Sequence, residues 1–238
     1  MTSGTPRKQL AQFANVTLQR DPNMHLMRGN RGMSVFNNIY PPDASFYAEL
    51  YGGQPKLKCH GAWYETRAGI WPVQTKPNGW MPKVMKALGE RFCDLLEQHS
   101  QALVVRFDLH VPQYTEDNAQ ISEIMTKLNY WITSHYKGVN EVRYVWVREL
   151  EKAKQQHYHV ALMLNGNKIR NPYYIHEKGK EIWSSLRGTS YHISKHHHFH
   201  RDDHDSICEA FYHISYLAKA RGKGYKPHHT KNYGANRR

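Results

Sequence analysis

The stretch EVRYVWVRELEKAKQQHYHVALML, residues 141–164, holds two apolar segments separated by a short polar one. Aromatic and β-branched residues dominate 141–150 and an apolar run ends at 164, whereas KAKQQ between them is polar. This pattern predicts strands at 141–150 and 157–164 that pair as an antiparallel hairpin. Residues two apart in a strand point to the same side. His157 and His159, at the start of the second strand, therefore share one face of the hairpin.

Strand and helix patterns alternate on both sides of this hairpin. QALVVRFDLHV (101–111) predicts a strand, and TSYHISKH (189–196) predicts an edge strand. Apolar residues at helical spacing predict helices at about 81–99, 118–136, 172–188 and 206–220. From residue 101 onward the order is β–α–β–β–α–β–α. It predicts an α+β fold of the split-βαβ type, in which helices pack on one side of an antiparallel sheet.

Composition divides the chain into three parts. Residues 1–60 are polar and contain the loop-like stretches RGNRG (28–32) and YPPDAS (40–45), so they are predicted to form an N-terminal extension or arm. Residues 61–222 carry the alternating patterns and are predicted to form the main domain. Seven Lys/Arg residues and no acidic residue lie between Lys219 and Arg238, which predicts a solvated basic tail at 223–238.

Charge and cysteine content limit the classes of partner and compartment. Lys and Arg number 33 against 20 Asp and Glu, and the net charge of +13 favours a polyanionic partner, nucleic acid before an anionic membrane surface. Three cysteines without a CxxC spacing indicate a reducing compartment. The N-terminus lacks an apolar signal segment, and no stretch reaches transmembrane length. We therefore expect a soluble cytoplasmic protein without a membrane partner.

The two histidines of the hairpin are candidate metal ligands. Two imidazoles side by side provide half of a divalent metal site. Glu149, eight residues before His157, can provide a third ligand across the hairpin and leave positions for water and a phosphate oxygen. The alternative is a surface or hydrogen-bonded histidine pair. Asp108, on the predicted strand 101–111, is expected to be structural, with support of the metal site as the alternative.

Two tyrosines and a lysine of the last predicted helix are candidate catalytic groups. Tyr212 and Tyr216 lie four apart and Lys219 follows three residues later, so helical spacing puts them on one face. A tyrosine can attack a phosphodiester and hold the 5′-phosphate covalently, and an ammonium group can stabilise the negative charge that develops. The alternative is the ordinary packing of a helix on a sheet.

The order of these segments resembles the HUH endonucleases, a superfamily that includes rolling-circle replication initiators, relaxases and some transposases. HYHVALML is similar to their histidine pair, and YLAK is similar to the Tyr-x-x-Lys motif of initiators from circular single-stranded DNA viruses. Those initiators carry a Glu eight residues before the first His, which is the spacing of Glu149. The combination RFDLH, HYHVALMLN and YLAKA most resembles inovirus-type replication proteins of phages and phage satellites, over about residues 100–220.

This resemblance implies an RRM-like HUH nuclease core and a defined reaction. Mg²⁺ or Mn²⁺ held by His157, His159 and Glu149 is expected to polarise a scissile phosphate that Tyr216 attacks, and Tyr212 or a second 3′-OH then reverses the linkage. The implied function is site-specific nicking and rejoining of DNA that initiates rolling-circle replication of a phage, satellite or plasmid in a bacterial host. The expected partners are single-stranded or supercoiled origin DNA and a helicase of the host or the element.

Several further assignments and alternatives stay open. HISKHHHFHRDDHD (192–205) is predicted to be a polar loop, with a second metal site or a DNA contact as alternatives. The same nickase could act against a competing phage genome, or a degenerate HUH scaffold could bind DNA without cutting it. An RNA-binding module is disfavoured because the central strands carry His, Glu and Arg instead of aromatic platforms. The residues expected to contact DNA phosphates are Arg106, Arg143, Arg221, Lys223 and Lys226.

Overall fold

Nine strands and four α-helices form within the residues that the computed structural model describes, which are 27–29, 33–35, 62–74, 79–150, 156–220 and 229–236. The strands are β1 (Met27–Gly29), β2 (Met33–Val35), β3 (Ala62–Thr66), β4 (Gly69–Val73), β5 (Gln101–His110), β6 (Arg143–Glu149), β7 (His157–Asn165), β8 (Ser190–His200) and β9 (Tyr233–Ala235). The helices are α1 (Pro82–Gln98), α2 (Ala119–His135), α3 (Tyr173–Ser185) and α4 (His204–Ser215), and a 3₁₀ turn, Tyr216–Ala218, follows α4 directly. None of these described helices is both long enough and apolar enough to cross a bilayer.

The predicted hairpin is the centre of a five-stranded antiparallel sheet with the strand order β8-β5-β7-β6-β9. β6 pairs with β7 so that Glu149 lies opposite His157 and Val147 lies opposite His159. β5 pairs with the other side of β7 and brings Asp108 opposite His159. Helices pack on this sheet, so the predicted α+β fold is confirmed. The register collects polar residues from three strands at one end of the sheet.

Helices cover both faces of the sheet, and the prediction that they pack on one side is wrong. Alternate side chains of β5, from Leu103 through Val105 and Phe107 to Leu109, pack on α2 and α3 together with alternate residues of β7 such as Val160. The opposite face packs on α1 and α4. The physical reason is that β5 and β7 carry apolar residues at consecutive positions, so both of their faces must be buried.

The face that packs on α1 and α4 changes character along its length. Ala102 and Val104 of β5 are fully buried in the core that these two helices form with the sheet. Arg106, Asp108 and His110 continue the same face, because they follow at intervals of two residues. The sheet therefore has an apolar end beneath the helices and a polar end beyond them.

A second, four-stranded sheet with the order β1-β2-β3-β4 adds to the core of α1 and α4. Tyr64 of β3 and Trp71 of β4 pair across their hairpin and are buried in that core. Its turn contains Gly69 at φ +150°, and a Cβ there would come within 2.7 Å of the Trp71 ring. The sequence analysis did not find β3 and β4, because Pro72 within β4 argues against a strand. Proline is tolerated here because β4 is the edge of its sheet.

The predicted N-terminal arm lies largely outside the described residues, which include only β1 and β2 from it. RGNRG, predicted to be a loop, overlaps β1 at Arg28 and Gly29. YPPDAS lies outside the described residues. β2 joins the second sheet through the pairing of Val35 with Tyr64. The boundary predicted at residues 60–61 stays a prediction.

The basic tail returns to the main sheet, and the prediction of a solvated arm is wrong for its last described residues. β9 pairs with β6, with Tyr233 opposite Val147 and Ala235 opposite Val145. The backbone N–H of Arg148 also donates a hydrogen bond of 2.8 Å to the carbonyl of Asn232. β6 would otherwise be the edge of the sheet, and β9 satisfies its open hydrogen-bonding groups.

The histidine-rich stretch is a strand, and the prediction of a polar loop over 192–205 is wrong. β8 continues the predicted edge strand as far as His200 and pairs along β5 from Gln101 to His110. Phe199, which alternates with exposed histidines, is buried in the core and holds the strand on the sheet. α4 begins four residues later, with the Asp203 side chain accepting a hydrogen bond from the N–H of Ser206.

Candidate metal centre

Three ligand groups meet at the end of the β6–β7 hairpin. Glu149 is the last residue of β6 and His157 is the first residue of β7, and the two face each other across the ladder. The side chain of His159 points to the same side as that of His157. One ligand atom from each residue lies within 4.8 Å of the other two. The predicted group of Glu149, His157 and His159 therefore comes together and could hold a metal ion.

The spacing and chemistry of these groups fit a divalent cation. Nε2 of His159 lies 3.1 Å from Oε2 of Glu149. Two ligands that each lie about 2.1 Å from a cation at a right angle are separated by roughly 3 Å. Carboxylate oxygen suits Mg²⁺ and Mn²⁺, and imidazole nitrogen suits transition ions. The donor set is thus compatible with several divalent ions.

Asp108 fixes the orientation of His159 from the neighbouring strand. Its Oδ1 lies 2.6 Å from Nδ1 of His159, so Nε2 is the nitrogen that faces Glu149. Metal-binding histidines usually donate their second ring nitrogen in this way, which fixes the tautomer and the ring orientation. The contact favours the alternative that was weighed for Asp108, a supporting role in the candidate metal centre, over a purely structural one.

Burial and charge act in opposite directions on the ionisable groups of this centre. Burial disfavours the charged form of His159, but its hydrogen bonds to Asp108 and Glu149 outweigh burial and raise the pKa of the imidazole. Burial also opposes ionisation of Asp108, but His159 and Arg106 reverse this effect and lower the pKa of its carboxyl. The neighbouring carboxylates thus favour the protonated form of His159. A bound cation would displace that proton.

Tyr216 lies against this centre. Its ring centroid is 5.2 Å from that of His159, in an edge-to-face arrangement. The guanidinium carbon of Arg106 lies 4.1 Å from the centroid of the Tyr216 ring, and Nζ of Lys219 lies 5.1 Å from it. Tyr216, Lys219 and His157 are partly exposed. Tyr216 and His157 are therefore accessible from solvent, whereas Glu149 and His159 are buried.

The end of α4 and the 3₁₀ turn hold Tyr216 in this position. The buried hydroxyl of Ser215 accepts a hydrogen bond of 2.9 Å from the backbone N–H of Gln74. Ala218 is fully buried, and its carbonyl accepts a hydrogen bond of 2.7 Å from the N–H of Met81. The turn is thus anchored on both sides of Tyr216 by elements that belong to the core.

The other two predicted catalytic groups are placed differently. The last helix was predicted to continue to about residue 220, but α4 ends at Ser215, and a bridge with Trp80 positions Lys219. The carbonyl of Tyr212 accepts hydrogen bonds from Nε2 of Gln74 and from the hydroxyl of Ser215. The structure brings Lys219 beside Tyr216, whereas a part for Tyr212 in catalysis stays a prediction.

The residues predicted to bind DNA fall into three groups. Arg106 is 9% exposed and lies within the candidate centre. Its Nη2 is 3.5 Å from Oδ2 of Asp108, and its guanidinium lies over the ring of Tyr216. Arg143 is 1% exposed, and its guanidinium donates hydrogen bonds to Gln98 and Glu141. Its burial contradicts the predicted phosphate contact, because a buried and paired guanidinium does not reach DNA. The predicted contacts of the tail lie outside the described residues: Arg221, Lys223 and Lys226.

The sequence analysis missed a polar network on the opposite side of the hairpin. Arg148 and Gln156 are each 1% exposed, and Tyr158 is fully buried. Arg148 donates to Oε1 of Gln156 at 2.8 Å and to the carbonyl of Asp117 at 2.9 Å, and Gln156 donates to the hydroxyl of Tyr158 at 2.8 Å. Each of these three residues is adjacent in sequence to a candidate ligand. This adjacency was the feature of the sequence that could have indicated the network.

Comparison with known protein families identifies the family of this chain. A family model described as the YagK/YfjJ C-terminal domain matches residues 71–236. That range includes the whole five-stranded sheet, the four helices and every residue of the candidate metal centre. No curated protein and no solved structure matches the chain.

Proposed function

We propose that this chain, which belongs to the YagK/YfjJ C-terminal domain family, nicks and rejoins single-stranded DNA at a specific site through a 5′-phosphotyrosine intermediate. The observation that carries the proposal is the position of the Tyr216 ring, 5.2 Å from the ring of His159 in the candidate metal centre. A nucleophile and a cation must both reach one phosphate in this chemistry. The biological setting that we propose is the initiation of rolling-circle replication of a mobile element.

The reaction proposed for Tyr216 is a direct displacement at phosphorus. Its phenol oxygen forms a bond to the phosphorus as the bond from phosphorus to the 3′ oxygen breaks, and the phenolic proton ends on that 3′ oxygen. Attack by a free 3′-OH reverses the step, so nicking and rejoining need no external energy source. Mg²⁺ or Mn²⁺, when bound, would supply Lewis-acid polarisation of the phosphate.

The positive groups around Tyr216 support a reaction on a phosphodiester. Arg106 lies 4.1 Å from the Tyr216 ring, and the ammonium of Lys219 lies 5.1 Å from it. Fixed positive charges aimed at a developing negative charge lower the barrier of such reactions. The net charge of +13 provides the long-range attraction to a nucleic acid strand.

The test uses single-stranded oligonucleotides tiled across the DNA element that encodes the chain, with Mn²⁺ present. A strand labelled at its 3′ end should give a protein–DNA adduct that survives denaturation, because the 5′-phosphate of that fragment becomes bound to the protein. A strand labelled at its 5′ end should give a shorter product that a polymerase can extend. Binding of the oligonucleotides without any cleavage would overturn the proposal in favour of a non-catalytic DNA-binding protein.

Two matched variants identify the nucleophile. Tyr216→Phe should abolish the adduct while the DNA still binds. Tyr212→Phe removes the same atom four residues earlier and should leave the first nicking step intact. An adduct that persists in Tyr216→Phe and disappears in Tyr212→Phe would show that the nucleophile has been assigned to the wrong residue.

A further inference from the structure

Tyr114 is an exposed aromatic residue at the same end of the main sheet as the candidate metal centre. It lies in the loop 111–118, which continues β5 beyond His110, and half of its surface is exposed. The N–H of Thr115 donates a hydrogen bond of 3.1 Å to Oε1 of Gln156. Because Gln156 directly precedes His157, this bond ties the loop to the start of the strand that carries the two histidines.

A buried arginine supports the Tyr114 ring from behind. The guanidinium carbon of Arg148 lies 5.4 Å from the ring centroid. This guanidinium is 1% exposed and donates hydrogen bonds to the carbonyls of Thr115 and Asp117 and to Oε1 of Gln156. The ring therefore rests on a fixed cation while half of its surface stays open to solvent.

Other exposed tyrosines of the described residues are placed differently. Tyr130 lies on α2, and Tyr173 and Tyr174 lie at the start of α3. These two helices pack on the sheet face opposite the candidate metal ligands, the face on which Arg148 also lies. Tyr114 differs from them in that the loop holding it is hydrogen-bonded to the residue next to His157.

We propose that Tyr114 is a stacking platform for an unpaired base of the DNA strand that is cut, an inference that rests on the proposed function. Every nucleobase offers an aromatic face, so a ring backed by a guanidinium binds unpaired bases without reading their sequence. Paired bases are stacked within a duplex and do not offer that face. The platform therefore selects single-stranded DNA near the scissile phosphate.

The test separates stacking from charge by comparing two probes of equal length and charge. One is an oligothymidylate, and the other has the same backbone with abasic sites in place of all bases. Binding is measured by fluorescence anisotropy in EDTA, so that no cleavage occurs. The wild type should prefer the oligothymidylate, and Tyr114→Ala should weaken its binding roughly 5- to 150-fold, the effect of losing one stacked base. Binding of the abasic strand should stay unchanged.

Two further variants keep this test specific. Tyr114→Phe retains the ring and should retain the preference for bases. Tyr130→Ala removes an even more exposed tyrosine, 74% exposed, from α2 and should behave as wild type. Equal preference for bases in wild type and Tyr114→Ala, or an equal loss in Tyr130→Ala, would overturn the platform.

The outcomes distinguish this inference from the proposed function. A chain that forms the Tyr216 adduct but keeps its preference for bases in Tyr114→Ala is a nickase without this platform. A chain that loses the preference in Tyr114→Ala but never forms an adduct has the platform and lacks the proposed chemistry.

Discussion

The two ends of one sheet face differ in what they contribute to the molecule. We call them the core end and the site end. The core end packs on α1 and α4 and consists of Ala102, Val104, Val145, Ala161 and Met163. The site end continues the same strands and consists of Arg106, Asp108, Glu149, His157 and His159. The same backbone pairing buries apolar side chains at one end and brings the candidate metal ligands together at the other, so the core end fixes the strands that position these ligands.

The two ends should also differ in how they affect stability. Burial of apolar surface at the core end drives folding. The buried charges at the site end gain attraction from one another, but they lose hydration, and the two effects nearly cancel. The side chains of such a site keep a precise geometry when rigid, well-packed elements hold them. The predictions below test this division, from the largest expected effect to the smallest.

Shortening a helix side chain that packs on the core end should cost the most stability. Phe92 of α1 is fully buried, and its ring lies 5.0 Å from that of Phe211. Phe92→Ala leaves a cavity and should lower the free energy of unfolding by about 3–5 kcal/mol, measured by urea denaturation in EDTA. Glu149→Gln at the site end keeps the size of the side chain and an oxygen beside His159, so its loss should be clearly smaller than that of Phe92→Ala. An equal decrease in the free energy of unfolding in both variants would show that the two ends contribute equally to stability.

Metal should stabilise the protein through the site end alone. At a Mn²⁺ concentration 100 times its Kd, the free energy of unfolding should rise by about 2.7 kcal/mol, because the ion binds the folded chain. Glu149→Gln removes one ligand and should lose this gain. Phe92→Ala keeps the ligands and should show the same gain from its lower starting point. A gain of equal size in Glu149→Gln would place the ion elsewhere.

The hairpin and its ligands could be predicted because strand pairing converts sequence spacing into position. The pairing of β6 with β7 puts Glu149 opposite His157, and the two-residue period of a strand adds His159 to the same face. Spacing alone did not place Tyr216 against this group; the order of motifs suggested it, and the fold of the chain after α4 supplied the contact. Local sequence patterns thus identified the candidate ligands, whereas the contact of Tyr216 with them depends on tertiary packing.

The features that sequence reasoning missed depend on contacts between distant residues. β9 has three residues, and its pairing with β6 joins positions about 90 residues apart, for which no local pattern exists. Arg143 alternates with apolar residues of β6, and only the fold reveals that Gln98 and Glu141 bury and pair it. A charged residue on a strand can be a ligand contact or a covered ion pair, and its neighbours in sequence do not distinguish the two.

Low pH should destabilise the protein through two largely buried histidines that lie where α4 packs on β8. Nε2 of His197, opposite Val104 on β8, lies 3.2 Å from Nδ1 of His213 on α4. Burial and the neighbouring charges of His213 and Lys195 lower the pKa of His197 to about 3. Burial and Arg106 lower the pKa of His213 to about 4. The unfolded chain binds these protons near pH 6.5, so these two groups should lower the free energy of unfolding by about 2 kcal/mol between pH 6.5 and 5.5, about 1 kcal/mol for each imidazole.

Variants of single histidines measure this loss by urea denaturation at the two pH values. His197→Gln removes one of the two imidazoles and should remove about half of the dependence on pH that the pair causes. His200→Gln changes an exposed histidine of the same strand and should keep the wild-type dependence. If His200→Gln flattens the profile as much as His197→Gln does, the buried pair is not the origin of the acid sensitivity.

The smallest effect should come from the far side of the site end. The hydroxyl of Tyr158, between the two histidines in sequence, accepts a hydrogen bond of 2.8 Å from Nε2 of Gln156. Tyr158→Phe keeps the buried ring and removes that bond, so it should lower the free energy of unfolding by about 1 kcal/mol.

Tyr144→Phe is the matched control for Tyr158→Phe, because Tyr144 lies on the same face of the neighbouring strand and its hydroxyl makes no hydrogen bond to a described residue. A loss of stability and of Mn²⁺ gain in Tyr158→Phe alone would mean that the polar network behind the hairpin holds the ligands in register. If both variants behave as wild type, the hydrogen bond of Tyr158 is not needed to position the ligands. The packing of the core end, which includes other parts of the same strands, would then be sufficient to hold them.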